Sequence, residues 1–113
     1  MARLSELGVD FDHWCFGCGK HNPNGLHLEL EVSEGRAAAR FTGERIHQGY
    51  DETLHGGVVT ALLDETMGWA IFQSGIWAVT ARIAVTFRKP VRVGEPLHAV
   101  SYTHLTLPTI YSV

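Results

Sequence analysis

The chain has 113 residues, of which 45% are hydrophobic and 19% charged, and its formal net charge is −3. This composition is typical of one domain with a modest core, and it lacks the basic excess that nucleic-acid binding requires. Charged residues at Asp64, Glu65 and Arg82 interrupt the apolar runs, so no stretch reaches the roughly 20 residues of a membrane span.

Two cysteines, Cys15 and Cys18, form a Cys-Phe-Gly-Cys motif flanked by His13 and His21. The first ten residues lack the apolar run of a secretory signal, so we expect a cytoplasmic protein with reduced thiols. Zinc is an alternative, but a second Cys or His pair at zinc-binding spacing is missing. We therefore expect a turn with two free thiols and no metal site.

The first half of the chain predicts a β-hairpin. Residues Leu26–Val32 alternate strictly between apolar and polar, which is the pattern of a half-buried strand. Ser33-Glu34-Gly35 predicts a tight turn, and Arg36–Thr42 predicts the antiparallel partner strand. Gly43–Leu54 is polar and irregular, which indicates a long loop, and long ordered loops often carry function.

A helix is predicted over Val58–Phe72, directly after His55-Gly56-Gly57. Its polar members are Thr60, Asp64, Glu65 and Thr66, so it is apolar on almost every side. Such a helix must be covered by a sheet or by another subunit.

After the helix, Trp77–Phe87 alternates again and predicts a long strand, which Arg88-Lys89-Pro90 ends. Glu95–Ala99 begins a further strand. The predicted order is therefore strand, strand, helix, strand, strand.

Residues 100–113 differ from the rest in composition, since all nine basic and twelve acidic residues precede them. The run Val100–Thr109 also resembles the translation of an adapter used in sequencing libraries. We expect an incomplete domain over 1–99, truncated at its C-terminal side and therefore a poor folder, followed by a non-native tail over 100–113. The alternative is an ordinary Ser/Thr-rich final strand.

Two features of the helix point to chemistry. Gly56 and Gly57 let the backbone approach a ligand, and the first N–H groups of a helix lack internal partners, which together suit an oxyanion or a phosphate. No Lys followed by Ser or Thr comes after the glycines, so a phosphate loop is excluded. Asp64 is a carboxylate among apolar neighbours and thus a candidate functional residue. Alternatively, one of Asp64 and Glu65 faces solvent while the other makes a structural hydrogen bond.

These motifs resemble a known family over about residues 14–99. The PaaI-like branch of the hotdog-fold acyl-CoA thioesterases shares Cys15-Phe-Gly-Cys-Gly-Lys-His-Asn-Pro-Asn-Gly-Leu26, His47-Gln-Gly-Tyr50, His55-Gly-Gly-Val-Val-Thr-Ala-Leu-Leu-Asp-Glu-Thr-Met67 and Phe87-Arg-Lys-Pro90. The resemblance implies an α+β hotdog fold, a curled antiparallel sheet wrapped around one long central helix. It also implies hydrolysis of an acyl-CoA thioester to a free acid and coenzyme A, without a cofactor.

Residue roles follow from the same resemblance. The Gly56 N–H would polarise the thioester carbonyl, and Asp64 would act as general base or nucleophile. His55 would shape the helix entry, Thr80 would help to hold the lytic water or the acid, and Gln48 would face the thioester. The remaining candidates are substrate-binding: Gly57 at the helix entry, and Arg82, Arg88 and Lys89 toward the coenzyme A phosphates, unless these cations merely solubilise the surface.

Helix geometry predicts that the site is shared between subunits. Gly56 and Asp64 lie about 12 Å apart along one helix, so one carbonyl cannot approach both within about 3 Å. A symmetric homodimer, or a dimer of such dimers, solves this with composite sites.

Two alternatives to the hydrolase stay open: a non-catalytic acyl-CoA binding or sensing module with a structural Asp64, and a dehydratase or hydratase, which needs its His and acid placed differently.

Overall fold

The computed structural model describes residues 2–3, 13–73 and 75–103. One α-helix packs on an antiparallel sheet of order β1-β2-β3-β4. The elements are β1 (Ala2–Arg3), β2 (Glu29–Ser33), β3 (Arg36–Thr42), a short 3-10 helix (Arg45–His47), α1 (Gly56–Phe72) and β4 (Pro96–Tyr102). The predicted α+β class with one long helix is confirmed.

The predicted hairpin is present as β2 and β3. Ser33 pairs with Arg36 across the turn, where Gly35 has a φ of 67° that favours glycine. The alternation is confirmed, since the four apolar side chains of the first strand, Leu26, Leu28, Leu30 and Val32, are all buried. The ladder begins only at Glu29, because His27 has a positive φ of 49°, which interrupts the extended backbone.

Helix α1 begins two residues before the predicted start and ends at the predicted Phe72. Its buried side chains, Leu62, Thr66 and Ala70, are spaced four residues apart and form one stripe. The buried Thr66 hydroxyl donates to the Leu62 carbonyl over 2.7 Å, so its polar group is satisfied. The other apolar side chains of the helix are partly exposed, so the described part of the chain covers α1 fully on one side.

The strand predicted over Trp77–Phe87 is wrong. The segment joins no ladder, and most of its side chains are exposed, with Val79 at 93%. An alternating pattern becomes a strand only when a neighbouring strand supplies hydrogen-bond partners. Among the described residues, β4 is paired on its β3 side alone. A cleft of about 320 Å³, floored by α1, lies between β4 and residues 84–86.

The strand predicted to begin at Glu95 is present as β4 and continues into the segment assigned to the tail. Val100, Ser101 and Tyr102 pair with Ala38, Ala37 and Arg36 of β3. Residues 104–113 lie outside the described residues, and the non-native origin of 100–113 stays a prediction. No helix in the described part of the chain has the length and apolar character of a membrane span.

The loop around the cysteines depends on a glycine. A β-carbon at Gly19 would lie 2.4 Å from the backbone N of Cys15 and from the backbone O of His13. Gly19→Ala is therefore expected to lower the free energy of unfolding by about 2–3 kcal/mol, because backbone atoms cannot move aside cheaply.

The matched control is Gly68→Ala, since nothing lies within 4 Å of a β-carbon at this helix position. We expect this change to stabilise the protein by about 0.5–1 kcal/mol, because alanine favours the helix. Urea unfolding of both variants checks the pair. Equal shifts of the two midpoints would contradict the assigned crowding.

Candidate active site

The backbone N–H groups at the start of α1 differ in whether a described residue accepts a hydrogen bond from them. His55 caps the helix, and its Nδ1 accepts a hydrogen bond from the Gly57 N–H over 2.8 Å. The N–H groups of Val58 and Val59 donate to the His55 carbonyl. The Gly56 N–H has no partner among the described residues. Of the two glycines proposed from the sequence, Gly56 therefore offers the available donor, whereas the Gly57 N–H is engaged by His55.

An aromatic ring that the sequence did not assign to the site lies beside this donor. A β-carbon at Gly56 would lie 3.5 Å from Cζ of Phe87, so the ring covers the helix entry. Phe87 is still 57% exposed. The exposed cations Arg88 and Lys89 follow it directly. The Phe87-Arg-Lys-Pro90 motif contains these residues, but it does not report that the ring meets the helix entry 31 positions earlier.

The acid of the helix is held by a hydroxyl from outside the helix. The Thr80 Oγ1 donates to the Asp64 Oδ1 over 2.5 Å, across sixteen residues of sequence. Asp64 is half-buried, and no described residue donates to its second carboxylate oxygen. The structure thus brings together the acid and the threonine that the family resemblance paired.

Two of the other candidates are not brought to this acid. The Oε1 atom of Gln48 accepts from the Glu52 N–H over 2.9 Å, so its side chain braces the loop beside a cleft of about 430 Å³. Arg82 is exposed and makes no ion pair with any described residue. The roles of both stay predictions.

Known proteins resemble this arrangement in sequence and in fold. A family model described as the thioesterase superfamily matches residues 51–104, which contain the helix entry, Asp64 and Thr80. The mouse protein named acyl-coenzyme A thioesterase THEM4 is 26% identical over 91 residues, which cover 80% of this chain and 34% of THEM4.

Two solved structures superpose with a TM-score of 0.67 each. A thioesterase superfamily protein, RHA08564, is 30% identical, and the match covers 73% of this chain and 43% of that protein. The PaaI protein from the E. coli phenylacetic acid degradation operon is 23% identical and is covered to 59%, with 72% of this chain aligned. The resemblance to the hotdog thioesterases is confirmed. The chain spans about a third of the length of THEM4 and about half of the length of the two solved structures.

The second acid of this hotdog helix, Glu65, contacts the cysteine motif. Its Oε1 accepts from the Cys15 Sγ over 3.5 Å and from the Trp69 Nε1 over 3.2 Å. Burial, and then the hydrogen bond and negative charge of Glu65, raise the pKa of the Cys18 thiol far above its ordinary value. Both helix acids therefore accept hydrogen bonds, Asp64 from Thr80 and Glu65 from Cys15 and Trp69.

Proposed function

We propose that this chain hydrolyses an acyl-CoA thioester to a carboxylic acid and coenzyme A. The observation that carries the proposal is that one helix presents both an available backbone donor, the Gly56 N–H, and a carboxylate oriented by a hydroxyl, Asp64. The Gly56 N–H has no partner among the described residues and lies at the positive end of a 17-residue helix. Asp64 lies on the same helix and is oriented by the Thr80 hydroxyl from outside it. THEM4, named an acyl-coenzyme A thioesterase, supports the substrate class. The cytosolic location expected from the sequence belongs to the same proposal.

The chemistry needs no group beyond water and these residues. The thioester carbonyl oxygen accepts from the Gly56 N–H, where the helix dipole and the donor stabilise the negative charge that develops on the oxygen. Asp64 either takes a proton from the attacking water or attacks the carbonyl itself before water releases the acid. In both routes the tetrahedral adduct collapses with cleavage of the C–S bond, and the coenzyme A thiolate leaves and takes up a proton. In the second route this gives an anhydride of Asp64, which water then hydrolyses to the free acid. The Thr80 hydroxyl fixes one carboxylate oxygen, so the other can act.

A second copy of the chain completes the site in this proposal. Gly56 and Asp64 lie on one helix about 12 Å apart, too far for one thioester to contact both. The apolar sides of α1 and of residues 77–87 that stay exposed in one chain are the surface that a symmetric partner would cover, with Trp77 83% and Val79 93% exposed. A homodimer, or a dimer of dimers, would thereby hold paired composite sites.

The phosphates of coenzyme A would meet the cations next to the helix entry. Arg88 and Lys89 follow Phe87, whose ring lies against Gly56, and both are exposed. Neither forms an ion pair with a described residue, so both charges are available to a ligand. Arg82 is assigned to the same role on its charge alone.

The test of the function is the release of free thiol from a panel of acyl-CoAs of different chain length and aromaticity. Turnover that saturates with one class of acyl group supports the hydrolase. Binding of acyl-CoA without thiol release, measured by calorimetry on the same protein, would replace the hydrolase by the sensing module.

The shared site predicts activity from two inactive variants. Asp64→Asn keeps the donor, and Gly56→Pro keeps the acid, so a mixed dimer contains one intact site and one doubly defective site. Coexpression of the two is expected to restore about a quarter of the wild-type turnover, because about half of the dimers are mixed. Each variant alone gives about a hundredth or less. No recovery in dimers shown to be mixed would contradict the composite site.

A further inference from the structure

Three metal-ligating side chains converge on a face of α1 that the proposed hydrolysis does not use. The Sγ atoms of Cys15 and Cys18 and a carboxylate oxygen of Glu65 all lie within 4.8 Å of one another. Glu65 follows Asp64 directly, and neighbouring helix residues point about 100° apart, so the cluster and the Thr80-bound acid occupy different sides of the helix. The cysteines also precede the part of the chain that matches the thioesterase family model.

The spacing of these atoms suits a tetrahedral zinc ion. Zinc binds sulfur at about 2.3 Å and carboxylate oxygen at about 2.0–2.2 Å, which places a sulfur and an oxygen about 3.5 Å apart in a tetrahedral site. The Cys15 Sγ and the Glu65 Oε1 are 3.5 Å apart. Two bound sulfurs are about 3.8 Å apart by the same geometry, a separation within the 4.8 Å limit of the cluster.

The surrounding backbone brings the three groups together. The Gly19 N–H donates to the Cys15 carbonyl over 2.9 Å, which closes the turn that presents both cysteines on one side. A β-carbon at Gly17 would lie 2.6 Å from Cδ of Glu65, so a glycine between the cysteines is what lets the carboxylate enter the turn. A larger residue at position 17 would therefore keep the Glu65 carboxylate away from the two cysteines.

The carboxylate is also oriented from behind. The Trp69 Nε1 donates to the Glu65 Oε1 over 3.2 Å, as outer hydrogen-bond partners of metal ligands commonly do. The Cys18 side chain is buried, and those of Cys15 and Glu65 are half-buried. Two soft sulfur ligands with one carboxylate favour zinc over magnesium or calcium, which prefer all-oxygen sites.

We propose that Cys15, Cys18 and Glu65 bind one zinc ion, with both cysteines as thiolates and the fourth position open to water. The ion offsets the negative charge of three anionic ligands in a partly buried turn. It would fasten residues 15–18 to α1 one residue beyond Asp64. The spacing of the sequence favoured free thiols, because the third ligand lies fifty residues away. This inference does not depend on the proposed hydrolysis.

Zinc content and cobalt spectra of the 113-residue chain test the site. Protein purified with reductant and without chelator is expected to carry about one zinc per chain by elemental analysis. Co²⁺ in its place is expected to give the strong visible bands of tetrahedral coordination and thiolate-to-cobalt charge transfer in the near ultraviolet. Free Zn²⁺ should also raise the melting temperature of chelator-treated protein, because a ligand that binds the folded state stabilises it.

Variants separate the ligands from their neighbours. Trp69→Phe removes an outer hydrogen-bond partner and is expected to weaken zinc binding about 10- to 100-fold. Cys18→Ser and Glu65→Gln each remove a ligand and are expected to weaken zinc binding by more than this. Asp64→Asn, the adjacent acid, is the matched control and should keep full zinc. Gly17→Ala keeps all three ligand residues in the sequence but pushes the Glu65 carboxylate out of the turn, so the cobalt spectrum should weaken. This variant tests the site even if a cysteine variant fails to fold.

Three results would overturn the proposal. The first is the absence of zinc or cobalt binding by reduced, folded protein. The second is unchanged metal affinity in both Glu65→Gln and Gly17→Ala. The third is a protein whose two thiols are oxidised to a disulfide even after purification under reductant, which would make the pair a redox motif.

Discussion

Asp64→Asn is expected to lower the kcat for thioester hydrolysis by about a hundredfold or more while the fold stays intact, the scale of losing a positioned acid–base group. Asparagine has nearly the shape of aspartate. Its side-chain oxygen can still accept the hydrogen bond that the Thr80 hydroxyl donates to the Asp64 Oδ1 in the structure. The amide can neither take a proton from water at neutral pH nor attack a carbonyl. The loss is therefore chemical rather than structural.

Thiol release at saturating acyl-CoA, with the melting temperature measured on the same sample, checks this prediction. Glu34→Gln is the matched control, because this carboxylate is exposed in the turn between β2 and β3. It should keep wild-type turnover. If Asp64→Asn keeps its turnover, the catalytic role passes to Glu65 or the chain does not catalyse hydrolysis. Zinc binding at Cys15 and Cys18 is measured separately and is not decided by this result.

Much of the fold could be predicted from the sequence because its signals are local. The hairpin of β2 and β3 follows from alternation on either side of a turn with Gly35, and α1 follows from a long, mostly apolar stretch without proline after two glycines. The cap on α1 is also local, since His55 accepts from a residue two positions on.

The predictions that failed or were missed depend on distant partners. Residues 77–87 have the alternation of a strand but find no neighbouring strand in the described chain, and alternation does not report that. The contact of Phe87 with the helix entry and the contact of Glu65 with Cys15 join residues that are 31 and fifty positions apart. No local pattern indicates either contact. Thr80 was assigned to Asp64 through the family resemblance, not through its spacing.

Gly56→Pro is expected to lower kcat by about 10²- to 10³-fold, the loss that follows removal of one oxyanion donor. The structure indicates that the helix tolerates this change. Gly56 is the first residue of α1, where proline is favoured because its φ suits a helix and its missing N–H would have had no helical partner. The preceding His55 has φ −62° and ψ 133°, the extended conformation that a residue before proline requires.

The substitution therefore removes one backbone hydrogen-bond donor, the N–H of residue 56, and changes little else. Gly56→Ala is the matched control, because it keeps the N–H and places its β-carbon at an ordinary contact distance of 3.5 Å from Phe87. Thiol-release kinetics on both variants should show the loss in kcat rather than in KM, since the carbonyl oxygen needs the donor most when it carries negative charge. A Gly56→Pro variant that turns over like Gly56→Ala would place the oxyanion elsewhere. The Gly57 N–H could replace it only by giving up its bond to the Nδ1 of His55, so His55→Ala in the Gly56→Pro background would then raise turnover further.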